Sequence, residues 1–354
     1  MDTIPLVVRR LVAAEQSCGF VHFFSSLCDA SATPLAIKGE AFHPIDAGVA
    51  ADDASPEYQI VYDVMRSKNG TVLFKQSYAE RFVNSLSLVR PTRTLQAEMQ
   101  SLVELRLQAY VRSPGVYLNN VTEQNLKILS WFPVDTASTD PAEALPVPTI
   151  VMLVKSFYPA ESMYREGARI GLLFDSYRVS PSAKIAQTEL RARANAYMAA
   201  NNVYEVLLVH DATSAYLVPE GSRSNYLLQR SDGTMWCSAT EDILVGITLK
   251  TMCRVLPASG LGSVQHAKLT LKDILECKAL YILGTTPTIM PVQTVLLYSD
   301  TKTRRFYEEA VSALGAMVGS VQQVSDDRLQ LVLPVNVDQA AALRARYFEE
   351  AASL

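Results

Sequence analysis

Pro181-Ser182-Ala183-Lys184, Tyr204-Glu205, Glu220-Gly221-Ser222-Arg223-Ser224-Asn225, Gly246-Ile247-Thr248 and Gly284-Thr285-Thr286 follow one another in the second half of the chain. Each piece puts a chemically active group where one regular element meets the next. Lys184 lies behind Pro181, between a strand expected over 168–177 and a helix expected over 185–200. That helix ends at Asn201-Asn202, where a residue tolerant of left-handed backbone suits a C-cap. An amine becomes a nucleophile when its surroundings lower its pKa. Glu220 follows the apolar run Tyr216-Leu217-Val218, a predicted strand over 215–218. A half-buried carboxylate there needs a cationic partner, which an electron-sink cofactor with a protonated ring nitrogen would supply. Gly246-Ile247-Thr248 opens a helix whose first-turn N–H groups lack intrahelical partners and favour an anion. Thr248 either caps that helix or gives its hydroxyl to a bound phosphate. Gly284-Thr285-Thr286 is a small-residue turn after a buried strand over 279–283. Taken singly, each piece also reads as ordinary scaffold.

Outward from this stretch the pattern stays mixed. Residues 203–209 read as a strand. Asn225–Gln229 and Met235–Ser238 read as a hairpin across Asp232-Gly233, with helices opening near 248 and 271. In the first half, Tyr58–Lys68 is rich in β-branched and aromatic residues. Asn69-Gly70 supplies the two positive φ angles of a tight hairpin, and residues 71–75 return. Ser77-Tyr78-Ala79-Glu80 has capping-box spacing, with Phe82, Val83, Leu86 and Leu88 following at near-helical intervals. That start puts Arg81 in the first turn, the wrong end for a cation, and marks it as a ligand for an external anion. A helix over 94–111 would carry Leu95, Met99, Leu102, Leu105 and Ala109 on one face. Strands over 126–132 and 149–155 flank the polar, proline-containing stretch 133–148. Before residue 58 only 19–24 reads clearly, as a strand. The expectation is two α+β domains.

The 354 residues are 49% hydrophobic with net charge −4, so no basic field exists to hold nucleic acid or an anionic membrane. No apolar run approaches the ~20 residues of a membrane helix. Met1-Asp2-Thr3-Ile4 lacks the layout of a signal peptide, and a cytoplasmic protein is expected. Five cysteines without C-x-x-C spacing and four scattered histidines exclude a zinc site and a disulfide framework from the expectation. They and the two tryptophans are assigned to packing or surface, and no metal is expected.

The ordered series resembles the fold-type IV (class IV) pyridoxal-phosphate aminotransferases, the group of branched-chain and D-amino-acid aminotransferases and aminodeoxychorismate lyase. Tyr62-Asp63-Val64-Met65-Arg66, Asn69-Gly70 and Tyr78-Ala79-Glu80-Arg81-Phe82 look like the family's small-domain hairpin and phosphate-arginine helix. The resemblance runs from about Tyr58 to Pro291-Val292. It implies a small N-terminal α/β domain (residues 1–155, hairpin plus phosphate-arginine helix) and a larger β-rich domain with flanking helices that binds pyridoxal 5'-phosphate (PLP; residues 160–354). By the same resemblance Lys184 would carry PLP and shuttle the substrate's Cα proton, and Glu220 would pair with the ring nitrogen. Arg81, the Ile247 and Thr248 amides, the Thr248 hydroxyl and Thr285 would hold the phosphate. Tyr62 would line the substrate side, and Glu205 would support the lysine.

The chain departs from the family where Tyr78 replaces a usual histidine and Leu249 a usual arginine, a charge that Lys250 could replace. The family's glycine-rich tail is not evident after Val292. The reading is a PLP-dependent transaminase passing an amino group between an amino acid, branched-chain-like or D-configured, and a 2-oxo acid, as a homodimer by resemblance. The alternatives are pyruvate elimination of the aminodeoxychorismate lyase type and a non-catalytic relative of the fold.

Overall fold

The computed structural model describes residues 4–15, 19–42, 57–89, 96–113, 123–134, 147–211, 215–315 and 321–353. They form two compact units. The first holds the described residues up to Phe157 together with Ala183–Ala186, and the second holds Tyr158–Ser182 and Gln187–Ser353. The domain expected to run unbroken from 160 thus yields four residues, Lys184 among them, to the first unit.

In the first unit α1 (Leu6–Ala14) precedes strands β1 (Phe20–Phe24), β2 (Leu35–Lys38), β3 (Tyr58–Lys68) and β4 (Thr71–Val72). Helices α2 (Lys75–Val89) and α3 (Gln96–Arg112) lead to β5 (Glu123–Pro133) and β6 (Thr149–Val154). The strands make one antiparallel sheet in the order β2-β1-β6-β5-β3-β4. Strand alternation divides its side chains. Ile60, Leu129, Trp131, Ile150 and Met152 pack with Val8 and Val12 of α1. Asp63 points the other way and meets α2, as its bonds to Arg81 show.

The Asn69-Gly70 turn forms as read, with φ of 49° and 75°. The returning strand stops at Val72, because Phe74 takes φ 51° and turns the chain into α2 at Lys75. Ser77 and Glu80 therefore lie inside the helix rather than forming a capping box. Arg81 stands at the end of the second turn, not in the first.

The face expected on α3 is also corrected. Leu105 is 61% exposed and Ala109 is exposed, while Met99, Val103, Arg106, Leu107, Tyr110 and Val111 are buried. Two polar-tipped residues turn inward and find partners there, although Arg106 Nη1 meets no hydrogen-bond acceptor among the described residues. Tyr110 Oη donates to Phe20 O at 2.6 Å and accepts from Leu153 N–H at 2.8 Å. Arg106 donates to the carbonyls of Ser26 and Asp29 at 2.8 and 2.7 Å. Thr94, Leu95, Cys18, His43 and most of 133–148 lie outside the described residues.

The second unit comprises α4 (Glu161–Glu166), β7 (Ala168–Leu173), α5 (Thr188–Asn201), β8 (Glu205–Leu208), β9 (Asn225–Gln229) and β10 (Met235–Ser238). It continues with α6 (Ile247–Ala258), β11 (Gln265–Ala267), α7 (Leu271–Leu275), β12 (Ala279–Gly284) and β13 (Thr288–Tyr298). Helix α8 (Thr301–Leu314), β14 (Val321–Ser325), β15 (Arg328–Val332) and α9 (Val337–Ser353) complete it. The sheet runs β11-β10-β9-β12-β13-β15-β14, and β7 joins β13 and β8 by parallel pairing. Asn202 caps α5 with φ 51°, as its sequence suggested.

Strand β7 ends at Leu173, short of the expected Tyr177, because Asp175 takes φ 52°. Residues 215–218 make isolated bridges only, with Tyr216 at φ 46°. Helix α5 begins at Thr188 rather than 185, because Ile185 and Ala186 pair with β3. Among the described residues no helix is long and apolar enough to cross a membrane. Burial pushes the thiols of Cys237 and Cys277 up to about 12, so both are inert packing groups.

Tyr110→Phe tests the corrected α3 face. It leaves the Phe20 carbonyl and the Leu153 amide without their partner, and urea unfolding should show a loss of about 1–3 kcal/mol. An unchanged midpoint would mean that the hydroxyl contributes nothing there.

Candidate active site

In the first unit Lys184 is held by its backbone. Its N–H donates to Ser85 Oγ at 3.1 Å, and its carbonyl accepts from Tyr62 N–H at 3.0 Å. Ala186 N–H donates to Ile60 O at 2.8 Å, so residues 184–186 are held along β3 through an isolated antiparallel bridge of Ile185 with Val61. The Lys184 ammonium sits 5.2 Å from the centre of the Tyr62 ring. Buried Lys127, ion-paired with Glu15, stands 4.8 Å from the same ring. Lys184 and Tyr62, 122 positions apart in the chain (184 − 62), are thereby brought together.

Arg81 has an internal partner that the sequence reading missed. Its Nε donates to Asp63 Oδ2 at 2.8 Å and its Nη2 to Oδ1 at 2.6 Å, while the guanidinium lies 5.3 Å from the Tyr78 ring centre. Desolvation pulls the Arg81 pKa down, but Asp63 outweighs it and the group stays above its ordinary value. The forked pair engages Nε and Nη2 and leaves Nη1 as the nitrogen for a second anion. Tyr78, where the family commonly has histidine, serves as the floor under this arginine.

In the second unit the turn 220–225 is built on Glu205. This carboxylate is 2% exposed and accepts from Ser222 Oγ at 2.6 Å, Val206 N–H at 2.9 Å, Ser224 Oγ at 2.9 Å and Arg223 N–H at 3.2 Å. Gly221 must stay small, since an added Cβ would lie 2.3 Å from Ser224 Oγ. Glu220, also buried, accepts from Asn225 Nδ2 at 3.4 Å, and its Oε1 lies 3.3 Å from Arg178 Nε. Asn225 Oδ1 accepts from Gly246 N–H at 3.0 Å, and Asn225 Nδ2 donates to Leu244 O at 3.0 Å. One amide side chain thus ties Glu220 to the start of α6.

That start carries no side-chain cap. Gly246 is the N-cap, so Thr248 is the second helical residue rather than the cap, and both it and Ile247 are buried. Thr285 is half-buried in the turn between β12 and β13. Leu249 is 1% exposed and packs inside, whereas Lys250 is exposed. The sequence reading quoted Asn225 and Asp63 within motifs without giving them a role and passed over Arg178 and Ser85. Alternation along β3 could have paired Asp63 with α2. Nothing local marks Arg178, which is brought to Glu220 by the left-handed residues Asp175 and Ser180 on either side of it. Among the described residues no group of His, Cys, Asp and Glu could hold a metal ion.

Residues 60–295 match the model of the family described as amino-transferase class IV. The chain belongs to the class IV aminotransferases. Its fold is that of solved members of the group. A branched-chain amino acid aminotransferase from T.th., solved with pyridoxamine 5'-phosphate, is 16% identical over 94% of both chains, with TM-score 0.59. The fold IV-transaminase of Curtobacterium pusillum is 16% identical over 92% of this chain and 98% of its own, with TM-score 0.60. A hypothetical aminotransferase of Mycobacterium tuberculosis, in its PLP-bound form, is 16% identical over 83% and 98%, with TM-score 0.54. No curated protein matches the sequence. In this class IV chain the motifs quoted from the sequence all fall within the matched span.

Gly246→Ala tests the junction of Glu220 with α6. Its Cβ would lie 2.4 Å from Asn225 Oδ1, an overpacking that should cost about 1–3 kcal/mol in urea unfolding. Removing the Asn225 side chain as well relieves the clash, so Gly246→Ala with Asn225→Ala should be clearly less than additive. Strict additivity would show that the two residues do not meet.

Proposed function

We propose that this class IV chain is a PLP-dependent transaminase that passes an amino group between an amino acid, branched-chain-like or D-configured, and a 2-oxo acid in the cytoplasm. The observation that carries the reading is Glu220, a buried carboxylate fixed by Asn225 against the uncapped start of α6. The donor set fits PLP. Arg178 has two buried guanidinium nitrogens, Nε and Nη2, without a hydrogen-bond acceptor among the described residues, at the edge of Glu220. Helix α6 adds first-turn amides and the buried Thr248 hydroxyl, which suit a phosphate.

When bound, PLP supplies a carbonyl for amine exchange and an electron-withdrawing ring that stabilises a Cα carbanion. Lys184 would supply the amine that carries the cofactor and then, freed, remove and return the Cα proton as a general base. Glu220 would hold a proton on the ring nitrogen, its own position held by Asn225 and its charge balanced by Arg178. Arg81, the Ile247 and Thr248 amides, the Thr248 hydroxyl and Thr285 would bind the phosphate, and Tyr62 would line the substrate side. We infer a homodimer from the family likeness alone.

Borohydride treatment of PLP-loaded protein and peptide mass mapping should place a pyridoxyl adduct on Lys184. An adduct confined to another lysine would sink the assignment. Visible spectra with a panel of L- and D-amino acids identify the substrate, and pyruvate release without amino transfer would point instead to lyase chemistry. Glu220→Gln should keep cofactor binding but cut transamination by several orders of magnitude, about 4–6 kcal/mol of transition-state stabilisation, because a neutral amide does not hold the ring nitrogen protonated. Near-normal turnover would count against the mechanism.

A further inference from the structure

We propose that Ser85 is a positioning residue that locks Lys184 in register with Arg81; the inference rests on the transaminase reading. Ser85 lies in the interior of α2 and is 1% exposed. A buried serine there is a poor choice for helix propensity and packing, since alanine forms helix better and brings no polar atom to satisfy. Its hydroxyl is used twice. It donates back to Arg81 O at 2.9 Å, and it accepts from Lys184 N–H at 3.1 Å.

The second bond closes a circuit. Lys184 O accepts from Tyr62 N–H, the next residue Asp63 grips the Arg81 guanidinium, Arg81 O accepts from Ser85, and Ser85 returns to Lys184. Both peptide groups of Lys184 are thereby clamped, one to β3 and the other to α2. The clamp holds the Lys184 Cα at a fixed place relative to Arg81. A lysine side chain has four rotatable carbons, so its amine is only as well placed as the backbone that carries it. A displacement of about 1 Å in a reacting group can cost a hundredfold in rate.

Ser85→Ala removes the acceptor for Lys184 N–H together with the back-bond to Arg81 O. In full-length PLP-loaded protein, kcat should fall by about ten- to a hundredfold, with KM for the amino acid within about threefold, because binding groups are untouched. Amide hydrogen exchange at Lys184 should quicken by about tenfold with the lost bond. Ser85→Thr keeps the hydroxyl and its back-bond and should restore both readouts; it also serves if the alanine variant does not fold. Ser87→Ala is the control for general damage to α2, since Ser87 Oγ makes the same back-bond, to Val83 O at 3.0 Å; it should leave kcat and Lys184 exchange unchanged. Wild-type kcat and unchanged Lys184 protection in Ser85→Ala would overturn the proposal, as would equal losses in Ser87→Ala. If unaltered protein gains no adduct on Lys184, the transaminase reading fails, and the amide-exchange comparison still decides whether Ser85 holds that backbone.

Discussion

The edge of β3 is the constraint on which the placement of Lys184 depends. Along one side β3 pairs with β5 over its whole length, from Tyr58 opposite Pro133 to Lys68 opposite Glu123. On the other side β4 covers only Ser67 and Lys68. The uncovered backbone at residues 60–62 is a row of donors and acceptors that a folded chain must satisfy. Residues 184–186 satisfy it, through Tyr62 N–H to Lys184 O and Ala186 N–H to Ile60 O. That pairing takes four residues of distant sequence into the first unit and delays α5 to Thr188. It also presents Lys184 from a tight turn, in which Ile185 N–H donates to Ala183 O at 3.0 Å, while the Lys184 N–H and carbonyl are held by Ser85 and Tyr62.

In the second unit the comparable anchor is Glu205, a buried carboxylate with four donors around it. An ionised group in so dry a place costs several kcal/mol unless hydrogen bonds replace its water. Here two serine hydroxyls and two backbone amides do so, all from its own neighbour or the turn 222–224. The turn is therefore shaped by the need to satisfy a charge beneath it. Glu220 and Asn225 emerge from its two ends in a fixed relation. Gly221 is required by the same crowding, since its missing Cβ is what lets Ser224 reach Glu205.

How much of this could be read from the sequence depends on the range of the interaction. The Asn69-Gly70 turn, the Asn202 cap and the hairpin Asn225–Gln229 with Met235–Ser238 are local, and their residues state them. The start of α2 was misread because its capping signal was outweighed by Phe74, whose left-handed backbone no propensity suggests. The face of α3 was misread because counting aliphatic residues passes over Tyr110 and Arg106, whose partners are distant carbonyls and an amide. The ordered motifs located Lys184, Glu220 and the start of α6 through resemblance to the class IV family. Their partners Asp63, Ser85, Arg178 and Asn225 were not legible, because each acts through a contact that only the fold creates. The elements after Tyr298 carried no motif and went unread.

Two buried arginine–carboxylate pairs separate scaffold from site. Arg81 and Asp63 form a forked pair with bonds of 2.8 and 2.6 Å, in which each charge has well-directed partners. Such a pair returns in Coulomb energy and hydrogen bonding much of what its desolvation costs. Arg178 and Glu220 are equally buried, yet their nearest atoms stand 3.3 Å apart, and Arg178 Nε and Nη2 meet no hydrogen-bond acceptor among the described residues. That looser pairing lies beside the turn 220–225 and the start of α6, which Asn225 ties together. A ligand that brings a hydrogen-bond acceptor to Arg178 would complete what that pairing leaves undone. Arg169 carries the same two unaccepted nitrogens, so burial alone does not mark the place; what distinguishes Arg178 is its carboxylate partner Glu220, tied through Asn225 to the start of α6. The first unit, through Asp63 and Ser85, uses its polar contacts to hold Arg81 and Lys184.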